Sequence, residues 1–296
     1  MRLGLLGLVV CGGCGAVSGS PPDAADTDAA SVDSPPPCDV AKPFASPVLV
    51  EGVTTSSGEG HGWLSADQLT IYFNRNDGTD SNLYFGTRMQ PAGAFTGISP
   101  LGGVNTIGPE VRPTLTADGL TLFIEAGADI HIATRMNTAS IFSMHNPVAV
   151  INNTTSTEWN PWISHDGLLM YFVSDRTGNF EIYKTTRANK SSPFGEPMPV
   201  GELNTPADEH SPVLSEDGLE IFFGSKRANP GSDIFHATRS TLGAGFGDPT
   251  LIVELSGSVS DDFPSWASPD HCQLMFTSNR VDGGGGAYHL WMATRR

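Results

Sequence analysis

The chain has 296 residues, of which 39% are hydrophobic and only 16% are charged, and it contains 34 glycines and 22 prolines. This glycine and proline content excludes a helical bundle and favours many short strands joined by tight turns. Acidic residues outnumber basic residues 32 to 16, so the net charge is −16, which argues against binding to nucleic-acid phosphates. No apolar run reaches the roughly 18 residues of a membrane-spanning helix.

The N-terminus predicts export. Residues 1–10 combine one arginine with a short apolar stretch, which is typical of a secretory signal. Gly12 and Gly13 precede Cys14, an arrangement that resembles the cleavage box of bacterial lipoproteins and fits Cys14 better than Cys11. We therefore predict a signal peptide over residues 1–14 and lipidation of Cys14, with an ordinary signal peptide cut nearby as the alternative. Two acyl chains would anchor the protein firmly.

A linker is predicted next, over residues 15–42. Serine, proline, aspartate and alanine make up almost all of residues 18–37, and such a segment has too little apolar surface to offset its ordering entropy, so we expect the linker to be disordered. The two remaining cysteines, Cys38 and Cys272, are candidates for a disulfide in an oxidising compartment. We expect an exported protein of the bacterial cell envelope that is anchored by lipid only and faces the periplasm or the cell surface.

The remainder, residues 43–296, consists of five copies of one sequence repeat. A phenylalanine recurs at intervals of about 50 residues and marks each start: Phe44, Phe95, Phe142, Phe194 and Phe246. The repeats are 44–94, 95–141, 142–193, 194–245 and 246–296. Each has a short Pro/Val strand, a polar loop, an acidic residue, a turn headed by aspartate, an aromatic strand and a strand ending in Thr-Arg. The turns carry Asp67, Asp118, Asp166, Asp217 and Asp270.

Four short strands in each repeat predict an all-β fold, a five-bladed β-propeller of four-stranded antiparallel blades. The chain begins with a Pro/Val strand and ends with a Thr-Arg strand. We therefore expect the segment at about residues 46–52 to pair with the last blade and close the ring, which removes an exposed edge. The alternative is an open solenoid.

The repeat resembles a known family. Residues 212–218 read Pro-Val-Leu-Ser-Glu-Asp-Gly, and Ser174-Asp175-Arg176 is followed by Glu181-Ile182-Tyr183. This pattern is similar to the TolB-like, WD-repeat-like propeller repeat of bacterial envelope proteins, and lipoprotein-anchored propellers of this type look closer than TolB itself. The resemblance implies the fold but no activity, because propellers carry unrelated functions.

An acidic residue precedes every inner strand, and we expect these residues to circle one mouth of the central channel: Glu59, Glu110, Glu158, Glu209, and Asp261 or Asp262. Two unit charges roughly 8 Å apart repel by about 2 kcal/mol at an effective dielectric near 20, so the ring needs partners. The expected partners are arginines on the same face: Arg75, Arg176, Arg227, Arg280 and, in the second repeat, Arg112. Pairs between the turn aspartates and the Thr-Arg arginines are expected on the opposite face. The alternatives are a bound Ca²⁺ ion or a catalytic acid and base, as five-bladed glycosidases use.

Asymmetry between the repeats indicates a ligand platform. The candidates stand one or two residues after the acids and differ in every blade: His61, Arg112, Trp159, Asn160, Ser211 and Phe263. Loop variation without consequence is the alternative. We predict a non-catalytic, monomeric binding scaffold whose channel face meets a protein, peptide or glycan, with a carbohydrate-active propeller and a propeller with a channel cation as alternatives. No catalytic residue and no cofactor are assigned, apart from the Ca²⁺ alternative.

Overall fold

A computed structural model describes residues 38–78, 80–257, 260–280 and 286–296. These residues form twenty strands in five four-stranded antiparallel sheets. The predicted fold is confirmed: the sheets are five blades of a β-propeller. The predicted signal peptide, the lipidation of Cys14 and most of the predicted linker lie outside the described residues. Within the described ranges there is no helix that could span a membrane.

The strands follow the chain blade by blade. Blade 1 contains β2 (Glu59–Leu64), β3 (Thr70–Asn76), β4 (Ser81–Thr87) and β5 (Thr96–Pro100). Blade 2 contains β6 (Glu110–Leu115), β7 (Thr121–Ala126), β8 (Asp129–Thr134) and β9 (Asn146–Pro147). Blade 3 contains β10 (Glu158–Ile163), β11 (Leu169–Ser174), β12 (Glu181–Thr186) and β13 (Met198–Pro199). Blade 4 contains β14 (Glu209–Leu214), β15 (Glu220–Ser225), β16 (Asp233–Thr238) and β17 (Thr250–Leu251). Blade 5 contains β18 (Asp262–Ala267), β19 (Gln273–Ser278), β20 (His289–Thr294) and, as its outer strand, β1 (Val48–Leu49).

The two ends of the folded unit close the ring, as predicted. Strand β1 pairs antiparallel with β20, and Val48 lies opposite Met292. A disulfide joins Cys38 to Cys272, whose Cα atoms are 5.6 Å apart. The backbone N–H of Asp39 also donates to the carbonyl of Arg296. The last residues of the predicted linker, 38–42, include this attachment and a turn beside the last blade.

Two faces follow from the strand directions. The inner strands β2, β6, β10, β14 and β18 begin on the face that we call the upper face, which also carries the loops between second and third strands. The aspartate turns lie on the opposite, lower face. Trp63, Trp162 and Trp266 are buried where their inner strands approach the lower face. They border a cavity of only about 10 Å³, so the channel is nearly filled at that end.

The repeating aspartate and arginine of the lower face have different partners from those expected. Asp217 accepts hydrogen bonds from the hydroxyl of Ser215 and the N–H of Leu219, at 2.7 and 3.0 Å. Arg239 donates to the carbonyl of Gly218 at 2.7 Å and lies 4.6 Å from the centroid of the Phe246 ring. The expected ion pairs between turn aspartates and Thr-Arg arginines are therefore wrong: each aspartate holds its own turn, and each arginine stacks on the phenylalanine that marks the next repeat.

Candidate functional site

The ring of acids is present, but it does not line the channel as expected. Its members are at most 1% exposed: Glu59, Glu110, Glu158, Glu209 and Asp262. Glu158 shows how such a carboxylate is satisfied. Its oxygens accept from the N–H of Asn153, the hydroxyls of Ser156 and Ser174, and the guanidinium of Arg176, at 2.7–3.0 Å. Because these bonds occupy the carboxylate on several sides, the acid stabilises its own blade and is withdrawn from the channel.

In four blades an arginine guanidinium pairs with the ring acid and lies against aromatic rings, an arrangement that we call the guanidinium staple. In blade 4, Arg227 donates to Glu209 at 3.0 Å, and its Cζ lies 5.1 and 4.9 Å from the ring centroids of Phe223 and Phe235. Arg75, Arg176 and Arg280 repeat this arrangement with their own acids. The predicted pairing of acids with arginines is correct in these four blades. Burial raises the pKa of Glu209, and hydrogen bonds from Thr205 and the charge of Arg227 oppose that rise.

Blade 2 departs from the pattern. Glu110 accepts from the N–H of Thr106 at 3.1 Å and contacts His145 Nε2 at 3.4 Å. The Nδ1 atoms of His145 and His131 are 2.7 Å apart. Two imidazoles therefore occupy the place that an arginine and its aromatic ring hold elsewhere. The predicted pair between Arg112 and Glu110 is wrong, because Arg112 turns to another acid.

A bulge in the inner strands points a second set of side chains at the channel. The register shifts two residues after the acid in blades 1–4, and the residues there have positive φ: His61, Arg112, Asn160 and Ser211. All four line the narrow throat of the channel. A left-handed conformation is uncommon for residues other than glycine. Its recurrence at the same position of four blades shows that the bulge is a regular part of the throat.

In the fifth blade, where the sequence left Asp261 and Asp262 as alternatives, the structure selects Asp262. Asp262 lies opposite Ser278, as Glu209 lies opposite Ser225, so Asp262 is the member of the ring. Asp261 instead accepts from the Tyr288 hydroxyl at 2.9 Å. Phe263 therefore follows its acid directly, and its alignment with His61 and Asn160 is wrong. The throat position of this blade belongs to Pro264.

Arg112 connects two blades at the throat. Its guanidinium pairs with Glu125 of β7 and donates from Nε to Nε2 of His61 at 3.2 Å. Burial lowers the pKa of His61 well below its usual value, and the charge of Arg112 lowers it further. Burial raises the pKa of Glu125, which Arg112 opposes. The acceptor role of His61 requires a neutral ring, in agreement with its low pKa.

Two throat side chains have unused hydrogen-bonding capacity. Asn160 and Ser211 are each 4% exposed. Neither the amide of Asn160 nor the hydroxyl of Ser211 has a partner among the described protein atoms, and the indole Nε1 of Trp159 is in the same state. Buried polar groups are nearly always paired. These groups therefore favour a polar species from outside the protein, water or a ligand, at the throat.

Above the throat, the upper face has a cleft over blade 1 of about 580 Å³, within the range of small-molecule sites. We call it the blade 1 cleft. It shares His61 and Arg112 with the throat, and its other main lining residues are Gly60, Asn74, Asn76, Thr277, Phe263 and Tyr288. A second cavity of about 570 Å³ lies on the lower face between blades 1 and 2.

Aromatic rings continue from the cleft around the mouth. Trp159 and Phe180 stack with centroids 4.5 Å apart, His210 lies 5.8 Å from Phe180 and 5.7 Å from Phe263, and Phe263 lies 6.2 Å from Tyr288. Burial lowers the pKa of His210 to about 4, so the arc is uncharged at neutral pH. Burial and the bond to Asp261 raise the pKa of Tyr288 to about 12.

Sequence reasoning missed several residues of this mouth. Phe180 and Tyr288 each lie directly before the third strand of their blade, and neither carries a repeated signature. Glu125 carries no repeated signature either. Aligning the repeats on the paired strands places Glu125 beside Asn74 and Thr277 in one column of second-strand residues, and that column, rather than any motif, would have identified these three residues.

With the site described, the chain can be compared with known proteins. A scan against protein-family models gives no match, and a search of curated protein sequences gives none. Solved structures do match. An α-L-arabinofuranosidase from Podospora anserina, solved with cellotriose, has a TM-score of 0.60 at 12% identity, covering 88% of this chain and 98% of its own. A family 117 glycoside hydrolase from Zobellia galactanivorans has a TM-score of 0.57 at 10% identity, covering 86% and 90%.

The likeness is one of fold. TolB from Acinetobacter baumannii also matches, with a TM-score of 0.47 at 15% identity, and this chain covers 86% of itself and 55% of that protein. At such identities the comparisons carry no catalytic residue over to this chain. In the part of the chain that the structure describes, no group of three or more histidine, cysteine, aspartate or glutamate residues could hold a metal ion.

Proposed function

We propose that this protein is a membrane-tethered, non-catalytic binding propeller of the bacterial envelope, and that it binds its partner at the upper mouth. The observation that carries the proposal is a difference between the ring acid of each inner strand and the residues that follow it. The ring acids are buried and bonded within their blades, whereas the residues beside them vary from blade to blade and line the throat and the blade 1 cleft. Partner recognition suits side chains that differ between blades and line a cavity.

A glycoside hydrolase is the second candidate, because glycoside hydrolases share the fold. Such an enzyme needs one carboxylic acid and one carboxylate at a defined separation across the substrate. At this mouth Glu125 is paired with Arg112, Glu59 with Arg75, and Asp261 with the Tyr288 hydroxyl. Each carboxylate is held by a neighbouring side chain, so the arrangement favours binding without hydrolysis.

The N-terminal end of the described chain is fastened to the lower face. The disulfide partner Cys272 lies in a lower-face turn, and the carbonyl of Val40 accepts from Arg295 on the same face. The upper mouth, which is the proposed binding face, is therefore not occupied by this attachment.

Glycan and peptide arrays test the binding proposal with the full chain. We expect binding, with amide hydrogen-exchange protection confined to the upper-face loops, and recovery of every bound glycan intact. Binding that protects only the lower face would contradict the proposed site. Hydrolysis of a glycan that is lost in Glu125→Gln, with the fold retained by circular dichroism, would establish the enzyme instead.

The tether has a separate test. Cells expressing the wild-type protein and grown with labelled palmitate should yield a labelled protein in the membrane fraction. Cys14→Ser should lose the label, and the matched variant Cys11→Ser should retain it. A wild-type protein without label, released in soluble form, would contradict the anchor while leaving the binding proposal untouched.

A further inference from the structure

Gly60 lies in the wall of the blade 1 cleft. In the inner strands, the residue directly after each ring acid is Gly60, Val111, Trp159, His210 or Phe263, so blade 1 presents no side chain at this position. A Cβ built on Gly60 would lie 3.3 Å from Nδ2 of Asn74 and 3.6 Å from Cγ2 of Thr277. Because the Asn74 side chain packs this closely over the glycine, a larger residue at position 60 would push Asn74 aside and enter the cleft.

The charges that border the cleft are already compensated. Glu59 accepts from the guanidinium of Arg75 and from Thr55, at 3.1 and 2.6 Å. The guanidinium of Arg112 pairs with Glu125. Among the described residues that line the cleft, a charged ligand would find no uncompensated opposite charge, and it would lose hydration on entry. The cleft thus selects for an uncharged ligand.

The walls combine two kinds of chemistry. Phe263 and Tyr288 supply aromatic surface on one side, and the amides of Asn74 and Asn76 with the hydroxyl of Thr277 supply polar groups on another. Tyr288 is 38% exposed and its hydroxyl is held by Asp261, so its ring is accessible at a fixed position. A sugar ring has apolar C–H faces that pack on aromatic rings and a rim of hydroxyls that suits amides.

The throat supplies an independent indication of a polar ligand. Asn160 and Ser211 are more than nine-tenths buried, line the same throat as His61 and Arg112, and have no partner among the described protein atoms. The throat itself has room of only about 20 Å³, which is about one water molecule. It can therefore take a single hydroxyl or a bridging water, and not a whole ring.

We propose that the blade 1 cleft is a binding site for an uncharged oligosaccharide, one ring of which packs on Phe263 and Tyr288 while hydroxyls meet Asn74 and the throat. This inference rests on the proposed binding function and names its ligand class. Binding involves no covalent step.

Calorimetric titration of the full chain with xylotriose, cellotriose and arabinotriose tests the ligand class, with trigalacturonic acid as the charged comparison. We expect at least one neutral trisaccharide to bind and the charged one to bind at least tenfold more weakly. Gly60→Phe should weaken neutral binding at least tenfold because it fills the cleft. Gly201→Phe is the matched control, since Gly201 is exposed and a Cβ there meets no atom within 4 Å.

Tyr288 gives a second test that does not depend on packing a new ring into the protein. Tyr288→Ala removes the aromatic wall and should weaken neutral binding about tenfold, equivalent to about 1.4 kcal/mol. Tyr288→Phe keeps the ring, and its affinity should stay within about threefold of wild type. By the same relation this is a difference of at most about 0.7 kcal/mol.

The outcomes separate this inference from the proposed function. Neutral sugars that bind equally well to wild type and to Gly60→Phe overturn the site. If no neutral trisaccharide binds at millimolar concentration but displayed random peptides bind the upper face, the sugar class is overturned and the binding function stands. If neither sugars nor peptides bind, both are overturned.

Discussion

Arg295 packs on Phe44, with the guanidinium Cζ 4.9 Å from the ring centroid, and so joins the end of the folded chain to its beginning. The same stack recurs inside the chain, where Arg135 lies 4.4 Å from the Phe142 ring. Ring closure therefore uses a contact that every blade already makes, and the Cys38–Cys272 disulfide lies beside it on the lower face.

Loss of this disulfide should destabilise the protein. The bond joins residues separated by 234 positions, and removing a native disulfide typically costs about 2–5 kcal/mol. We expect reductant to lower the urea midpoint of the wild type. The double variant Cys38→Ser/Cys272→Ser should show the lower midpoint with or without reductant, while β1 remains paired with β20. Equal midpoints for oxidised and reduced wild type would contradict a closing role.

The guanidinium staple should matter far more than a surface ion pair in the same blade. Arg227→Ala leaves the carboxylate of Glu209 buried without its cation, and breaking a buried pair costs about 3–5 kcal/mol. Lys226→Ala is the matched control, because Lys226 and Asp208 are 42% and 32% exposed and such pairs contribute about 1 kcal/mol or less. Urea unfolding of both variants measures the difference.

A further variant separates the charge from the packing of the staple. In Arg227→Ala/Glu209→Gln the buried negative charge is gone, so we expect part of the lost stability to return. If the double variant is no more stable than Arg227→Ala, the arginine acts through its contacts with Phe223 and Phe235 and not through the ion pair.

The histidine pair of blade 2, His131 and His145, should make the free energy of unfolding depend on pH in the acidic range. Burial and, to a smaller extent, the neighbouring His145 lower the pKa of His131 from its usual 6.5 to about 4, against the opposing pull of Glu110. Between these pH values the unfolded chain binds more protons, so the free energy of unfolding falls as the pH drops from 6.5 towards 4.

His131→Tyr tests this dependence, because Tyr84 and Tyr183 occupy the same place in blades 1 and 3. The variant should lose less stability than the wild type between pH 7 and pH 4 in urea titrations, on the order of the linkage expected for a single group. An NMR titration of the His131 ring should give a midpoint near 4. A midpoint at 6.5 or above would contradict the buried, neutral ring.

Calcium should leave the melting temperature unchanged. The oxygens of Glu158 are engaged by Asn153, Ser156, Ser174 and Arg176, and Ca²⁺ would need six to eight oxygen ligands where a guanidinium already lies. We expect identical melting curves with EDTA and with millimolar Ca²⁺. A melting temperature that rises and saturates with Ca²⁺ would instead support the channel cation.

Much of this fold could be predicted from local sequence. Hairpin turns, the acid and its staple, and the strand between them all lie within one repeat, as Glu209 and Arg227 do. Their pairing is therefore repeated in the sequence and visible there. The closing strand was predictable for a related reason, because a repeat split between the two ends of the chain must be completed by pairing them.

Only the tertiary structure decided the functional mouth. Arg112 pairs with Glu125 and contacts His61, and not Glu110, because neighbouring inner strands approach each other at the throat. The spacing of these residues along the sequence does not reveal that proximity. A shift of one residue along β18 exchanges the roles of Asp261 and Asp262, since successive side chains on a strand point to opposite sides. The cleft is lined by Gly60 and Asn74 of blade 1, Arg112 of blade 2 and Phe263 of blade 5, which come together only when the five blades stand around one axis.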